Sequence, residues 1–89
     1  MKMTIKLITE YSEQELAFLK THNCEILFKI KLPKDFNDAP PLRMFTYGGA
    51  YIGEIKDEDG LVWAALGKFK GKYRWGECYE SLSSLEDNF

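Results

Sequence analysis

Hydrophobic and polar positions alternate along most of this chain, and one short stretch carries a helical pattern instead. Lys2, Thr4 and Lys6 interleave with Met3, Ile5 and Leu7, so residues 2–8 predict a half-buried strand. Ser12-Glu13-Gln14-Glu15 then has the spacing of a capping box, in which Ser12 satisfies the Glu15 amide and Glu15 the Ser12 amide. Tyr11 and Leu16 occupy the staple positions beside it. The pattern predicts a helix from residue 13 to 21 or 22, with Leu16, Phe18 and Leu19 inward and Asn23, which tolerates the left-handed conformation, as its stop. A helix below about 12 residues needs a sheet to hold it.

Residues 25–32 alternate Ile26, Phe28, Ile30 and Leu32 with Leu27, Lys29 and Lys31, a second strand with one basic-leaning face. Residues 33–42 hold all three prolines together with Asp35, Asn37 and Asp38, and so predict a loop, with Phe36 tucked back on the core. From Arg43 the extended pattern resumes. Gly48-Gly49 reads as a bulge or kink inside one bent strand reaching residue 55. The chain closes with Ser83 and Glu86 at capping-box spacing, which predicts a short helical turn.

Residues 51–79 carry six of the thirteen aromatic residues and consist of three strand-like runs joined by two tight turns. The first turn is Asp57-Glu58-Asp59-Gly60, suited to a type I turn with a glycine bulge. The second is Lys70-Gly71-Lys72, read as a three-residue link, although a two-residue Lys70-Gly71 turn would shift the register by one. With three-residue links, Ile55 faces Trp63, Gly53 faces Ala65, Tyr51 and Trp75 face Gly67, and Phe69 faces Tyr73. These residues share one face, while Ala50, Ile52, Val62, Ala64, Leu66 and Cys78 share the other. Both faces are apolar, and one short helix covers only one of them. The leftover face is then a candidate binding platform. The more ordinary reading makes the aromatic face the core and the other mixed surface, because buried aromatic faces are commoner than exposed ones.

Composition narrows the picture further. Eighty-nine residues, 45% hydrophobic and 15% aromatic, predict one globular domain with a single core. A net charge of −2 and a pI near 5.4 argue against a general nucleic-acid binder. The first eight residues contain no apolar leader segment, and the longest apolar run is the six residues 61–66, so neither export nor membrane insertion is expected. Cys24 and Cys78 are expected as reduced thiols packed as small hydrophobes, and the location as cytoplasmic.

Catalytic chemistry is thinly supplied. The single histidine, His22, sits at a predicted helix end, where a surface role suffices. His22-Asn23-Cys24 offers two metal ligands without the further pair that a structural zinc site needs. Gly48-Gly49 lacks the residues of a phosphate-binding loop, and the acidic turn lacks the twelve-residue frame of a calcium loop. Glu77 and Glu80 read as solvated carboxylates. No enzyme activity and no cofactor or metal are expected.

Two charged constellations remain. Lys68-Phe69-Lys70-Gly71-Lys72-Tyr73-Arg74-Trp75 interleaves four basic residues with three aromatics around a hairpin tip, a pattern that serves single-strand nucleic-acid binding, protein docking or simple protection of an edge. Asp57, Glu58 and Asp59, with Glu77, Glu80, Glu86 and Asp87, make acidic ends that suit a protein partner. Small size, mixed charge patches, the absence of catalytic motifs and a Gly/aromatic strand set ending in Tyr79-Glu80-Ser81-Leu82-Ser83-Ser84-Leu85-Glu86 give the chain its character. In this it resembles in style the compact α+β inhibitors of bacteriophages and other mobile elements, anti-CRISPR proteins among them. That resemblance implies docking on a host nucleic-acid-processing machine and blocking it.

The expectation is therefore an α+β domain, its mostly antiparallel sheet of four to five strands packed on one short helix, with a short C-terminal helical turn. Its function is that of a non-enzymatic inhibitor or adaptor binding a protein. The binding residues are Tyr51, Trp63, Lys68, Lys70, Lys72, Tyr73, Arg74 and Trp75, using whichever of the aromatics and Arg74 are exposed. The alternative is a nucleic-acid-binding module built on residues 68–75. A homodimer through the uncovered sheet face is a third possibility, and no membrane partner is expected.

Overall fold

The computed structural model describes residues 2–88, and side chains from Thr4 onward; the inward placement expected of Met3 lies outside the described side chains. Nine elements follow one another: β1 Lys2–Lys6, α1 Glu13–Thr21, β2 Ile26–Leu27, β3 Lys29–Pro33, β4 Arg43–Tyr47, β5 Ala50–Asp57, β6 Gly60–Phe69, β7 Lys72–Tyr79 and α2 Leu82–Asn88. The fold is α+β, with a five-stranded antiparallel sheet in the order β2-β4-β5-β6-β7 and a separate antiparallel ribbon of β1 and β3.

Helix α1 begins and ends as its sequence dictates. The Ser12 hydroxyl accepts from the Glu15 amide at 3.1 Å while the Glu15 carboxylate accepts from the Ser12 amide at 2.8 Å, closing the capping box. At the other end Asn23 takes φ 54°, the Cys24 amide reaches back to the Leu19 carbonyl and the Asn23 amide to the Lys20 carbonyl. These are the two bonds of a Schellman stop. Leu19 is buried and Phe18 half-buried, but Leu16 is exposed. In α2 the cap is Ser81, whose hydroxyl accepts from the Ser84 amide at 3.1 Å, and not Ser83.

Several strand expectations are corrected. Residues 25–32 are not one strand: β2 pairs with β4, the chain bends at Phe28, and β3 leaves to pair with β1. Gly48-Gly49 is a turn between two strands. Both residues have positive φ (55° and 85°), so Tyr47 pairs with Ala50 across a two-residue link with the handedness that suits twisted strands. Lys70 and Gly71 repeat this geometry at φ 50° and 80°, giving the two-residue register, with Phe69 opposite Lys72. At the acidic turn Asp57 pairs with Gly60, again one residue away from the three-residue link.

These shifts redistribute the side chains. Val62 now opposes Ile55, and Trp63 opposes Glu54. Further along, Ala64 pairs with Cys78 and Leu66 with Trp75, so Gly76 and Glu77 together stand opposite Ala65 as a bulge. Trp63 and Trp75 consequently lie on opposite faces of the sheet. Trp63 packs with Phe45, Ile52, Leu19 and Leu85 beneath the helices. Trp75 packs with Met44, Ile55 and Ala64 beneath β1, β3 and the proline loop, which contributes Phe36 and Ala39. Both sheet faces are therefore covered, in three layers, and the expected uncovered face does not exist. The second layer of cover comes from β1 and from the chain between α1 and β4, in which Phe36 packs on the core as its pattern implies.

Candidate docking surface

Three charged residues absent from the predicted set fix the helix face of the sheet. Arg43 on β4 meets Glu54 on β5, directly opposite in the register, through Nε–Oε1 and Nη2–Oε2 bonds of 2.8 Å each. It meets Glu15 of α1 at 2.9 and 3.0 Å, and Nη1 also donates to the Glu10 carbonyl at 2.9 Å. All five guanidinium N–H groups are thus used. The Tyr11 and Trp63 rings lie 4.6 and 5.2 Å from the guanidinium carbon. Hydrogen bonding to Glu54 raises the Arg43 pKa further, against the opposing effect of burial. Burial pushes the Glu15 carboxyl up, but bonds from Arg43 and Ser12 outweigh it and leave it below its ordinary value. Burial raises Tyr11 to about 12, with Arg43 opposing and the two carboxylates adding. All the guanidinium donors are spent within the protein, so this centre ties helix α1 to the sheet.

The predicted binding residues separate into a buried pair and an exposed group. Trp63 and Trp75 retain 5% and 9% of their surface. Trp75 is held at both ends: its indole N–H donates to the Ala39 carbonyl at 2.7 Å and its amide to Asp38 at 3.1 Å, with the Phe36 ring edge-on. Tyr51 and Tyr73, by contrast, are 49% and 44% exposed, and Phe69 is 54% exposed. Lys68, Lys70, Lys72 and Arg74 are exposed around them.

This exposed end has two sides, because Lys68 pairs with Tyr73 and Phe69 with Lys72. On one side the Lys68 Nζ stands 5.8 Å from the Tyr73 ring. On the other the Phe69 ring lies between the Lys70 ammonium at 5.6 Å and the Arg74 guanidinium at 5.3 Å. The exposed Phe69 and Tyr73 rings therefore each carry a cation. The proline loop adds carboxylates: Asp35 and Asp38 line the same cleft, about 380 Å3, as Lys70, Lys72 and Arg74.

A second groove, about 330 Å3, runs between β3 and the sheet. Tyr51, Leu66 and Tyr73 form one wall, and the chain from Leu27 to Leu32 forms the other. Nothing in the hydrophobic pattern signals that β3 approaches Tyr51 and Tyr73, since the bend at Phe28 has no glycine or proline to announce it. Phe28 itself is 67% exposed, with the Lys29 ammonium 5.7 Å from its ring.

The remaining candidates have ordinary surroundings. His22 bonds Glu86 at 2.7 Å, joining the end of α1 to α2. Cys24 is half-buried and burial raises its thiol, whereas Cys78 is exposed and not packed as expected, its thiol raised by partial desolvation with Asp57 adding. Among the described residues no group of three or more His, Cys, Asp or Glu side chains is placed to hold a metal ion, and no helix is long and apolar enough to cross a membrane. No protein-family model matches the chain, and no curated protein or solved structure matches it either.

Proposed function

We propose that this protein is a non-enzymatic binding domain, an inhibitor or adaptor, that docks on a partner protein through the β6–β7 end and the adjoining groove. The carrying observation is the set of exposed rings, Tyr51, Phe69 and Tyr73, the last two beside cations, in a molecule whose two sheet faces are otherwise covered. Aromatic residues and arginine dominate binding hot spots, the aromatics because they bury large area at small entropic cost. An acidic pole at the far end of β6, where Asp57, Asp59 and Glu80 line one cleft, supports the finer reading of a nucleic-acid-processing machine as target.

A nucleic-acid-binding module is the second reading, favoured by the pairing of the Phe69 and Tyr73 rings with cations. Asp35 and Asp38 in the cleft beside Lys70, Lys72 and Arg74 weigh against it, since a phosphate chain crossing there would meet carboxylates.

The test is a pull-down from bacterial lysate with and without nuclease, repeated with Phe69→Ala/Arg74→Ala, a pair that avoids the buried Trp75. A stoichiometric protein that survives nuclease and is lost with the double variant supports the reading. Captured nucleic acid, with binding that falls steeply as salt rises, transfers the site to the second reading.

A further inference from the structure

The Phe28 carbonyl accepts from the Leu7 amide at 2.9 Å, and that bond determines which way each peptide of β3 points. In an antiparallel ladder, residues whose backbone groups face the partner alternate with residues whose groups face away. With Ile5 opposite Ile30 and Met3 opposite Leu32, residues 30 and 32 turn their N–H and C=O groups to β1. The backbone groups of Lys29 and Lys31 point the other way, along the free edge of a ribbon that has only two strands. A row of unpaired donors and acceptors is a template for another strand.

The groove lies along this segment of chain. Among the described residues Lys29 and Lys31 are the only charged ones lining it, and the rest of that lining is apolar or tyrosine. Lys68 adds a third ammonium above Tyr73.

We infer that β3 takes up an extended acidic peptide of a partner protein as a third strand of the β1–β3 ribbon, with apolar side chains entering the groove over Tyr51, Leu66 and Tyr73. This rests on the protein-docking reading and specifies its chemistry. Along an added strand, side chains alternate between the two sides of the ribbon. Those on the side of Ile30 and Leu32, which pack inward, meet the apolar groove; those on the side of Lys29 and Lys31, which are exposed, meet ammonium groups. The fitting sequence therefore alternates apolar and acidic residues. A second copy of this chain fits poorly, because pairing β3 with β3 would set Lys29 and Lys31 against their own counterparts. A nucleic acid also fits poorly, since phosphates accept hydrogen bonds but cannot satisfy the carbonyls of the edge.

The test uses blocked heptapeptides in which Glu alternates with Val, Leu, Phe or Tyr, added to the 15N-labelled chain. The expected result is amide shifts centred on Lys29, Lys31, Tyr51, Leu66 and Tyr73. Affinity should fall at least about tenfold when the peptide amides facing β3 are N-methylated, because main-chain bonds carry strand addition. Lys31→Gln, which keeps the amide, should weaken binding about two- to fivefold, the worth of one opposite-charge cross-strand pair. Lys31→Pro removes a free-edge N–H without touching the β1 ladder and should abolish it. The inference is overturned if no peptide shifts these amides at millimolar concentration, or if methylated peptides bind equally well. It is equally overturned if oligothymidylate shifts the same amides more strongly, or if the free chain forms a dimer that Lys31→Pro dissociates. In the pull-down, a partner retained by Lys31→Pro but lost with Phe69→Ala/Arg74→Ala discards strand addition and leaves the docking reading standing.

Discussion

Gly53 is the position where one added methyl group tests the packing most sharply. It lies in β5 on the face that Trp75 crosses, and a Cβ built there would stand 2.5 Å from Trp75 Cη2, 2.9 Å from Cζ3 and 3.3 Å from Met44 Cγ. The indole has little freedom to withdraw, since its N–H is bonded to Ala39 and Phe36 closes its edge. Overpacking of this kind costs about 1–3 kcal/mol. Alanine in place of glycine also gains about 0.5–1 kcal/mol of backbone entropy, so the clash is isolated by comparison with a glycine that has room. Gly67 on the neighbouring strand is such a control, with nothing within 4 Å of its would-be Cβ. The difference between Gly53→Ala and Gly67→Ala should be the full overpacking cost. At about 4–8 °C per kcal/mol, this is on the order of 10 °C in Tm. Thermal unfolding followed by circular dichroism measures it, and tryptophan emission should shift to the red in Gly53→Ala alone. Equal melting temperatures for the two variants would refute the placement of Trp75 against β5.

Removing Arg43 leaves buried Glu54 without its partner, so Arg43→Ala should destabilise by about 3–5 kcal/mol in urea unfolding, and Arg43→Lys should recover little because three ammonium donors cannot replace the five bonds of the guanidinium fork. Glu15 is held below its ordinary pKa in the folded state, so its contribution is present above the ordinary carboxylate value and is lost as pH falls through the folded one; an acid titration of Tm should flatten in Glu15→Gln. Tyr11 behaves oppositely in sign: its folded pKa of about 12 lies above the ordinary value of 10.0, so the stability it contributes is complete below that ordinary value and is lost as pH rises toward the folded one. Tyr11→Phe should remove that alkaline slope. Lys70 holds φ 50° at the first position of its turn, where asparagine is preferred, and Lys70→Asn should raise stability by about 0.5–1 kcal/mol without changing the hairpin register seen by NMR.

Local signals were legible where one residue type answers one backbone demand. The Ser12/Glu15 box and the Asn23 stop are of that kind, and both stand as the sequence implies. The hairpin registers were not, because Asp57-Glu58-Asp59-Gly60 and Lys70-Gly71-Lys72 accept either a two- or a three-residue link, and one residue of slip exchanges the faces of a strand. That slip, with the bulge at Gly76 and Glu77, separated two tryptophans that the pattern had placed together. Gly48-Gly49 was ambiguous for a similar reason, since positive φ serves a turn as well as a bulge. Of the site, the exposed tip was legible from the charge and aromatic pattern of residues 68–74. The groove was not, because it depends on a bend at Phe28 that brings β3 over residues distant in sequence.

The Oε1 atom of Glu15 accepts from the Ser12 amide and from Arg43 at once, at 2.8 and 2.9 Å. One oxygen thus belongs both to the start of a helix and to the anchorage of that helix on the sheet. Fraying of the first turn and detachment of α1 cannot then occur as separate events, as they do in helices whose caps are purely local. The amides of this turn should exchange with solvent only as fast as the helix leaves the sheet, so a segment that composition marks as a weak, nine-residue helix inherits the persistence of the strands beneath it.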